Sequence, residues 1–582
     1  MPNGDAPTLN AAEPVKSIHA SMGFTQPIHE EKPLRVITIG AGASGLLMAY
    51  KLQRNFAKFE HVIYEKNPDL GGTWFENRYP GCACDVPAHT YTWSFEPNPS
   101  WSSVYASSTE IYDYFKRFAA KYDLEKYIKF SHSVSSATWN TEKAQWDVQI
   151  THADGTVIND YANIVVNAAG LLNNWKWPEI DGLEDYKGKL LHSAHWDQTY
   201  DLSGKSVGLI GNGSSGIQIL PAIREKAGKI TTFIRAPTWV SPVQAQEQHI
   251  YTPEERELYA NDPEALLKYR KALETGFSGL WPVFIADSEI QKATAMGMTM
   301  MMKDKLRHEG LENLVIPTWG VGCKRITPGV NYLETLGSEQ VEVVYGPIEK
   351  LTQQGVVGGD GKEHPVDVLI CATGFDVSFR PRFPITGLNG QTLADAWQDE
   401  ARGYMGIAAH GFPNYFMIGG PNSPVGNGPV LSALEAQSDY ILKMMDRWQT
   451  ENIHSFHPKL EAVEEFAEHR DKFMKGTVWD QDCRSWYKKN GKVTVVWTGS
   501  TLHYLETIRE PRFDDWEFKY SGNRFAYLGN GYSQVEVDPG ADWAYYIRNS
   551  DDAPFLSRSK RRKAASNAGN TETIEQTTVK VL

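Results

Sequence analysis

Twice in this chain an apolar run breaks on a glycine and enters the pattern Gly-x-Gly-x-x-Gly. Leu34–Ile39 leads into Gly40-Ala-Gly42-Ala-Ser-Gly45, and Lys205–Ile210 leads into Gly211-Asn-Gly213-Ser214-Ser215-Gly216. The pattern is physically demanding. The first glycine permits a tight turn, the second lets a pyrophosphate approach the backbone, and the third lets helix and strand pack closely. The helix that follows offers free N–H groups and positive potential at its N-terminus. Each turn is followed by a helix-like apolar period and then by a second apolar run, His61–Tyr64 and Ile230–Ile234. Strand, glycine turn, helix, strand is the opening of a βαβ unit, whose parallel strands imply a doubly wound sheet. Two such openings predict an α/β chain with two dinucleotide-binding, Rossmann-like domains.

The residue that ends each second run separates the two sites. Glu65 stands where an acid would hold a ribose hydroxyl, about 20 residues past the turn. Arg235 stands at the matching place in the second unit, and its planar fork suits a 2′-phosphate. The blander readings are a surface acid and an exposed arginine at a strand end. On the first reading, the second site prefers NADP to NAD. Two sites in one chain suggest a resident flavin, FAD, and a nicotinamide donor, NADPH. Placing FAD in the first site is analogy.

At 582 residues the chain exceeds one ordinary core. Its pattern divides into an N-terminal extension (1–33), a first FAD-binding segment (34–180), an NADP-binding domain (181–380), a second FAD-binding segment (381–545) and a tail (546–582). The NADP domain is therefore inserted in the FAD domain. Residues 240–320 break the α/β rhythm and read as a helical insertion. Methionines 296, 298, 300, 301 and 302 there fit plain helix packing or an adaptable apolar wall. The basic run Arg558–Lys563 reads as part of a solvated tail, with nuclear targeting as the rarer meaning. A net charge of −13 argues against a nucleic-acid or anionic-membrane binder. No apolar stretch has the length of a membrane span. The N-terminus lacks a secretory pattern. The five cysteines are scattered, which argues against a disulfide framework and for the reducing cytoplasm. There is no C-x-x-C for a dithiol reductase, and no zinc spacing, so no metal site is expected.

More specific motifs surround the turns. After Glu65 come Gly71-Gly72-Thr73-Trp74, Asn77-Arg78-Tyr79-Pro80-Gly81 and Cys84-Asp85. Before the second turn lies Tyr186-Lys-Gly188-Lys-Leu-Leu-His192-Ser-Ala-His195-Trp196-Asp197. Lys324-Arg325, Ala372-Thr373-Gly374-Phe375 and Gly419-Gly420-Pro421-Asn422 follow. Together these resemble the Baeyer–Villiger monooxygenases from about residue 34 to residue 540. The family fingerprint, F-x-G-x-x-x-H-x-x-x-W then Pro or Asp, is met at Gly188, His192, Trp196 and Asp197, with Tyr186 replacing the usual Phe. The longer N-terminus resembles members acting on larger ketones.

The resemblance implies oxidation of a ketone by O2 to an ester or lactone, with FAD and NADPH and through a C4a-peroxyflavin. It implies that Arg325 supplies fixed positive charge to an anionic oxygen species, that Asp85 holds Arg325, and that Lys324 joins Arg235 on the 2′-phosphate. Gly72, Thr73 and Trp74 join the FAD site. His192 and Trp196 are expected in a structural linker more than in the chemistry, and His195 as an ordinary polar residue. The loop Pro421–Gly428 matches a family loop bordering the substrate, so Asn422, Ser423, Val425, Gly426 and Asn427 are candidates for selectivity or for plain loop structure. Two rivals stand beside this reading: an N- or S-oxygenating flavin monooxygenase, and a non-catalytic flavoprotein that binds NADPH.

Overall fold

A computed structural model describes residues 22–241, 248–423 and 426–550 of the chain. The N-terminal part of the main unit opens with β1 (Leu34–Ile39), α1 (Ala43–Asn55) and β2 (Phe59–Tyr64), and continues to β3 (Ile128–Lys129) and β4 (Ile164–Asn167). The chain then builds a second set: β5 (Lys189–His192), β6 (Ser206–Ile210), α2 (Ser214–Ile223) and β7 (Lys229–Ile234). Four helices follow: α3 (Pro253–Asn261), α4 (Pro263–Gly279), α5 (Glu289–Leu306) and α6 (Glu309–Val315). The second set ends with β8 (Val341–Tyr345) and β9 (Val368–Cys371), and the chain returns to the first through β10 (Tyr415–Met417).

The strands form two five-stranded sheets, in the orders β10-β4-β1-β2-β3 and β8-β7-β6-β9-β5. All of their pairings are parallel. A parallel sheet is covered on both faces, so its strands read as continuous apolar runs rather than alternating ones. β1 follows that rule, with Leu34, Val36, Ile37 and Ile39 all buried. The two crossings between the sheets lie side by side. Asp376 N–H donates to Asn174 O (2.7 Å), and Trp175 bridges Phe375.

The antiparallel strands His132–Asn140, Gln145–His152 and Val157–Ala162 form a separate sheet with Ile385–Thr386. The helical insertion expected over 240–320 is present as α3 to α6. Its methionines divide: Met302 is buried in the core of the second sheet, with Met298 and Met301 packed against that core, while Met296 and Met300 are exposed.

Residues 33–448 with 453–519 form one compact unit, which contains both large sheets. Among the described residues, 22–32, 449–452 and 520–550 form the other. Within that second unit Ile28 N–H donates to Tyr532 O (2.9 Å), and His29 stacks on Tyr527 at 4.9 Å. The basic run at 558–563 lies outside the described residues.

One disulfide is present: Cys323 and Cys483, 160 positions apart, are bonded. Cys82, Cys84 and Cys371 are free and buried. A pairing over that separation leaves no spacing pattern to read. Among the described residues no helix is long and apolar enough to cross a membrane.

Candidate active site

The first glycine turn is shaped by its own fold. Gly40 has φ +99°, and a Cβ there would lie 2.9 Å from Ala168 O. A Cβ on Gly45 would lie 2.0 Å from Gly40 O, inside any tolerable contact. Gly42, the N-cap of α1, carries no side-chain cap, which leaves the first helical N–H groups available to an anion. Gly72 has φ +52°, and a Cβ there would press on Gly42 Cα at 2.9 Å. Glu65 is buried at the end of β2. Its carboxylate accepts from Ala41 N–H (2.7 Å) and Asn67 N–H (2.8 Å), so it braces the turn while also lining the cavity. Burial raises its pKa above the ordinary glutamate value. Thr73 and Trp74 line the same cavity, and Trp74 Nε1–H donates to Tyr91 Oη (3.2 Å).

The second turn repeats this logic with one informative difference. A Cβ on Gly211 (φ +104°) would lie 2.5 Å from Ala372 O, and one on Gly216 would lie 2.1 Å from Gly211 O. A Cβ on Gly213 would meet nothing within 4 Å. Gly213 is also the uncapped N-cap of α2. Packing gives no reason for glycine at 213, whereas close approach of a phosphate does. Ser214 is tied by its hydroxyl to Thr327 Oγ1 (2.7 Å), and Ser214 and Ser215 face the cavity. Gln218, one turn further along α2, joins Tyr79 Oη (2.7 Å) and Ala83 O (3.0 Å), fixing this helix against the segment that leads to Asp85.

A single cavity of about 820 Å³ spans the first turn, Asp85, Ser214, Ser215 and Arg325. Arg325 and Asp85 form a two-pronged ion pair, Nε to Oδ2 at 2.6 Å and Nη2 to Oδ1 at 2.9 Å. The Asp85 carboxylate drives the Arg325 pKa further above its ordinary value, with the Tyr487 side chain contributing less. The guanidinium is therefore a permanent cation at the meeting point of the two glycine turns.

Lys324, its neighbour, points elsewhere. Its ammonium donates to Pro237 O (3.0 Å) and lies 5.0 Å from the centre of the Trp319 ring. Burial, and then the nearby Arg235 and Arg484, lower its pKa to about 8. Arg235 is exposed just past β7.

The fingerprint residues hold the frame. A Cβ on Gly188 would collide with Tyr186 Oη (2.1 Å) and Asp367 O (2.6 Å), while the Tyr186 hydroxyl donates to Val366 O (2.9 Å). This hydroxyl, which a Phe would lack, adds a tie between β5 and β9. His192 is fully buried. Its Nδ1 accepts from Ala194 N–H (3.1 Å), and its ring stacks on Trp175 at 4.6 Å. Burial lowers its pKa to about 4. His195 stacks on Trp175 as well, at 5.3 Å. Trp196 packs against the core of the second sheet. Asp197 pairs with Lys189 (2.6 Å). These residues surround the inter-sheet crossings and do not line the cavity.

The described loop candidates make mostly backbone contacts. Asn422 is buried, with its amide on Val496 O (3.1 Å) and its carbonyl accepting from Arg470 (3.2 Å). Ser423 donates to Gly420 O (2.7 Å), and Asn427 accepts from Thr501 N–H (3.0 Å). A Cβ on Gly426 would strike Trp479 at 2.3 Å. These side chains hold backbone rather than face the cavity, which this stretch lines through Gly428, Pro429 and Val430. Val425 lies outside the described residues. Sequence reasoning passed over Trp486, which lines the cavity, and Tyr487, beside Arg325. The two aromatics stand shortly after Cys483, and only the fold brings them there.

Two glycine turns opening on one cavity with a fixed cation at their junction define an oxidoreductase that uses two dinucleotides. Comparison with known proteins carries this further. The family model described as flavin-binding monooxygenase-like matches residues 33–252. The chain is 40% identical to the FAD-binding monooxygenase moxY of Dothistroma septosporum, covering 86% of this chain and 82% of that protein. It is 33% identical to a Baeyer-Villiger monooxygenase of Streptomyces coelicolor, covering 90% and 98% respectively. An oxidized steroid monooxygenase bound to NADP superposes with TM-score 0.72 at 26% identity, over 84% of this chain and all of that one. Closed cyclohexanone monooxygenase superposes with TM-score 0.73 at 25% identity and the same coverage. The chain belongs to the Baeyer–Villiger monooxygenases. It is an NADPH-dependent flavin monooxygenase that uses FAD and NADP.

Proposed function

We propose that this enzyme inserts one oxygen atom of O2 beside the carbonyl of a ketone, giving an ester or a lactone. The observation that supports this most is the Arg325–Asp85 fork, set where the two glycine turns meet. When bound and reduced by NADPH, FAD would supply the electrons that activate O2. The chain's own residues do the rest. The first turn, with Glu65, Gly72, Thr73 and Trp74, holds FAD. The second turn, with Arg235 and Lys324, holds NADPH by its pyrophosphate and 2′-phosphate.

Arg325 places a permanent positive charge beside developing negative charge on oxygen, an interaction that strengthens in a water-poor cavity. Asp85 orients the guanidinium by two hydrogen bonds and keeps a partly buried cation compensated. Residues 34–180 and 381–545 are assigned to the FAD domain and 181–380 to the NADP domain.

The test is a competition. Purified yellow enzyme with NADPH and air is offered cyclic, linear, aryl and steroidal ketones beside an amine and a sulfide. Ester or lactone formation outpacing amine hydroxylation supports the proposal, and amine hydroxylation at a comparable rate overturns it.

A further inference from the structure

The segment after Trp479 runs alongside the one that carries Lys324 and Arg325. Gln481 Oε1 accepts from Gly320 N–H (2.6 Å), Cys483 is bonded to Cys323, and Tyr487 reaches Arg325. Three successive contacts in the same direction lay residues 481–487 along residues 320–325. Arg484 therefore stands beside Lys324, with the disulfide one residue before each of them. Arg484 is exposed, and its charge is felt by both Arg235 and Lys324.

Three cations from three distant parts of the chain thus converge. The two acids of the same segment, Asp480 and Asp482, act on Lys488 instead. Among the described residues none of the three cations has a carboxylate partner. Lys324 is satisfied by a backbone carbonyl and an aromatic face. Like charges brought together without a counter-ion oppose folding, so their convergence is explained by an anion that arrives later. A monoester phosphate, with its double charge and three acceptor oxygens, fits such a cluster.

We propose that Arg484 is a third cation of the 2′-phosphate site, and that the Cys323–Cys483 disulfide is the clasp that holds it beside Lys324. This rests on the assignment of Arg235 and Lys324 to that phosphate. The disulfide adds a covalent tie between the two loops through a 6.4 Å Cα–Cα span, so Arg484 is pre-positioned and gives up little freedom when phosphate binds.

Calorimetric binding of 2′,5′-ADP to the FAD-loaded enzyme tests this without turnover. Arg484→Ala is expected to weaken binding about tenfold, the scale of one charge-assisted hydrogen bond, and Arg484→Lys to recover part of it. The Cys323→Ser/Cys483→Ser variant is expected to lose affinity by about threefold or more, from loss of pre-positioning. Dithiothreitol serves as the parallel arm on intact protein: it gives two electrons and two protons to the S–S bond and closes into its own ring disulfide.

If Arg235→Ala weakens 2′,5′-ADP while Arg484→Ala does not, the third-cation inference fails and the 2′-phosphate assignment stands. If neither substitution matters, that assignment fails and the inference falls with it. Undiminished affinity after opening the disulfide, by substitution or reduction, overturns the clasp.

Discussion

Replacing Arg325 by Ala removes a permanent cation at the junction of the two turns. The structure sets the scale of the loss. The pair is doubly hydrogen-bonded at 2.6 and 2.9 Å, and the Arg325 side chain keeps 35% of its surface accessible while it lines the cavity. Removing one preorganised electrostatic partner costs about 2.7–4 kcal/mol in the barrier, a fall of roughly 10²–10³-fold in kcat for ester formation. Arg325→Lys keeps the charge without the fork, so it should lie between the two.

Removing one member of a buried ion pair costs about 3–5 kcal/mol of stability. The partial exposure places the loss from Asp85→Ala at or below the lower end of that range. Because Asp85 works through Arg325, the double Ala variant should make ester no more slowly than Arg325→Ala alone, showing strong coupling between the sites. The assay is initial ester formation by mass spectrometry, beside NADPH consumption. NADPH consumption uncoupled from ester in Arg325→Ala is the expected pattern. Full-rate ester formation in that variant would refute the reasoning.

Other expectations follow from single positions. Gly213→Ala should fold with unchanged thermal stability, because its Cβ meets nothing, yet raise KM for NADPH. Gly216→Ala, aimed 2.1 Å from Gly211 O, should lower stability, and equal melting temperatures for the two would contradict this. Lys324 has a pKa lowered to about 8 and is a cation below that pH, so NADPH affinity should weaken as pH rises through about 8. A Kd that is flat from pH 7 to 9 would contradict it. His89 and His192 are held near pKa 4 by burial, against 6.5 for a free imidazole. The unfolded state therefore binds more protons between those values. Their contribution to stability is intact above about pH 6.5 and is lost as pH falls towards 4, which urea midpoints measure. His89 has neither ring nitrogen partnered and sits among Tyr251, Tyr259 and Tyr269, so His89→Phe should flatten part of that acid dependence.

What the sequence revealed and what it hid follow from the range of the forces. Both glycine turns, the strands feeding them, and Glu65 and Arg235 at the ends of β2 and β7 were readable, because spacing within a few tens of residues dictates them. The double-sheet α/β class followed from that repetition. The Arg325–Asp85 pair spans 240 positions and came from resemblance; no local pattern encodes it. Arg484, Trp486, Tyr487 and the Cys323–Cys483 bond were invisible for the same reason. The Pro421–Gly428 loop left two readings open, because its asparagines suit both a ligand and a backbone. Asn422, at φ +60° and bonded to Val496 and Arg470, is occupied by the second task. The fingerprint His192 and Trp196 were expected as linker structure, and the fold places them around the paired crossings.

The central claim is tested most directly by isotopic placement. The enzyme is run with NADPH, an accepted cyclic ketone and labelled oxygen gas, and the product is fragmented in the mass spectrometer. The account predicts one labelled atom per lactone, located in the ring between the carbonyl carbon and the carbon that migrated. Unlabelled lactone, or product oxygenated at carbon without ring expansion, would contradict it.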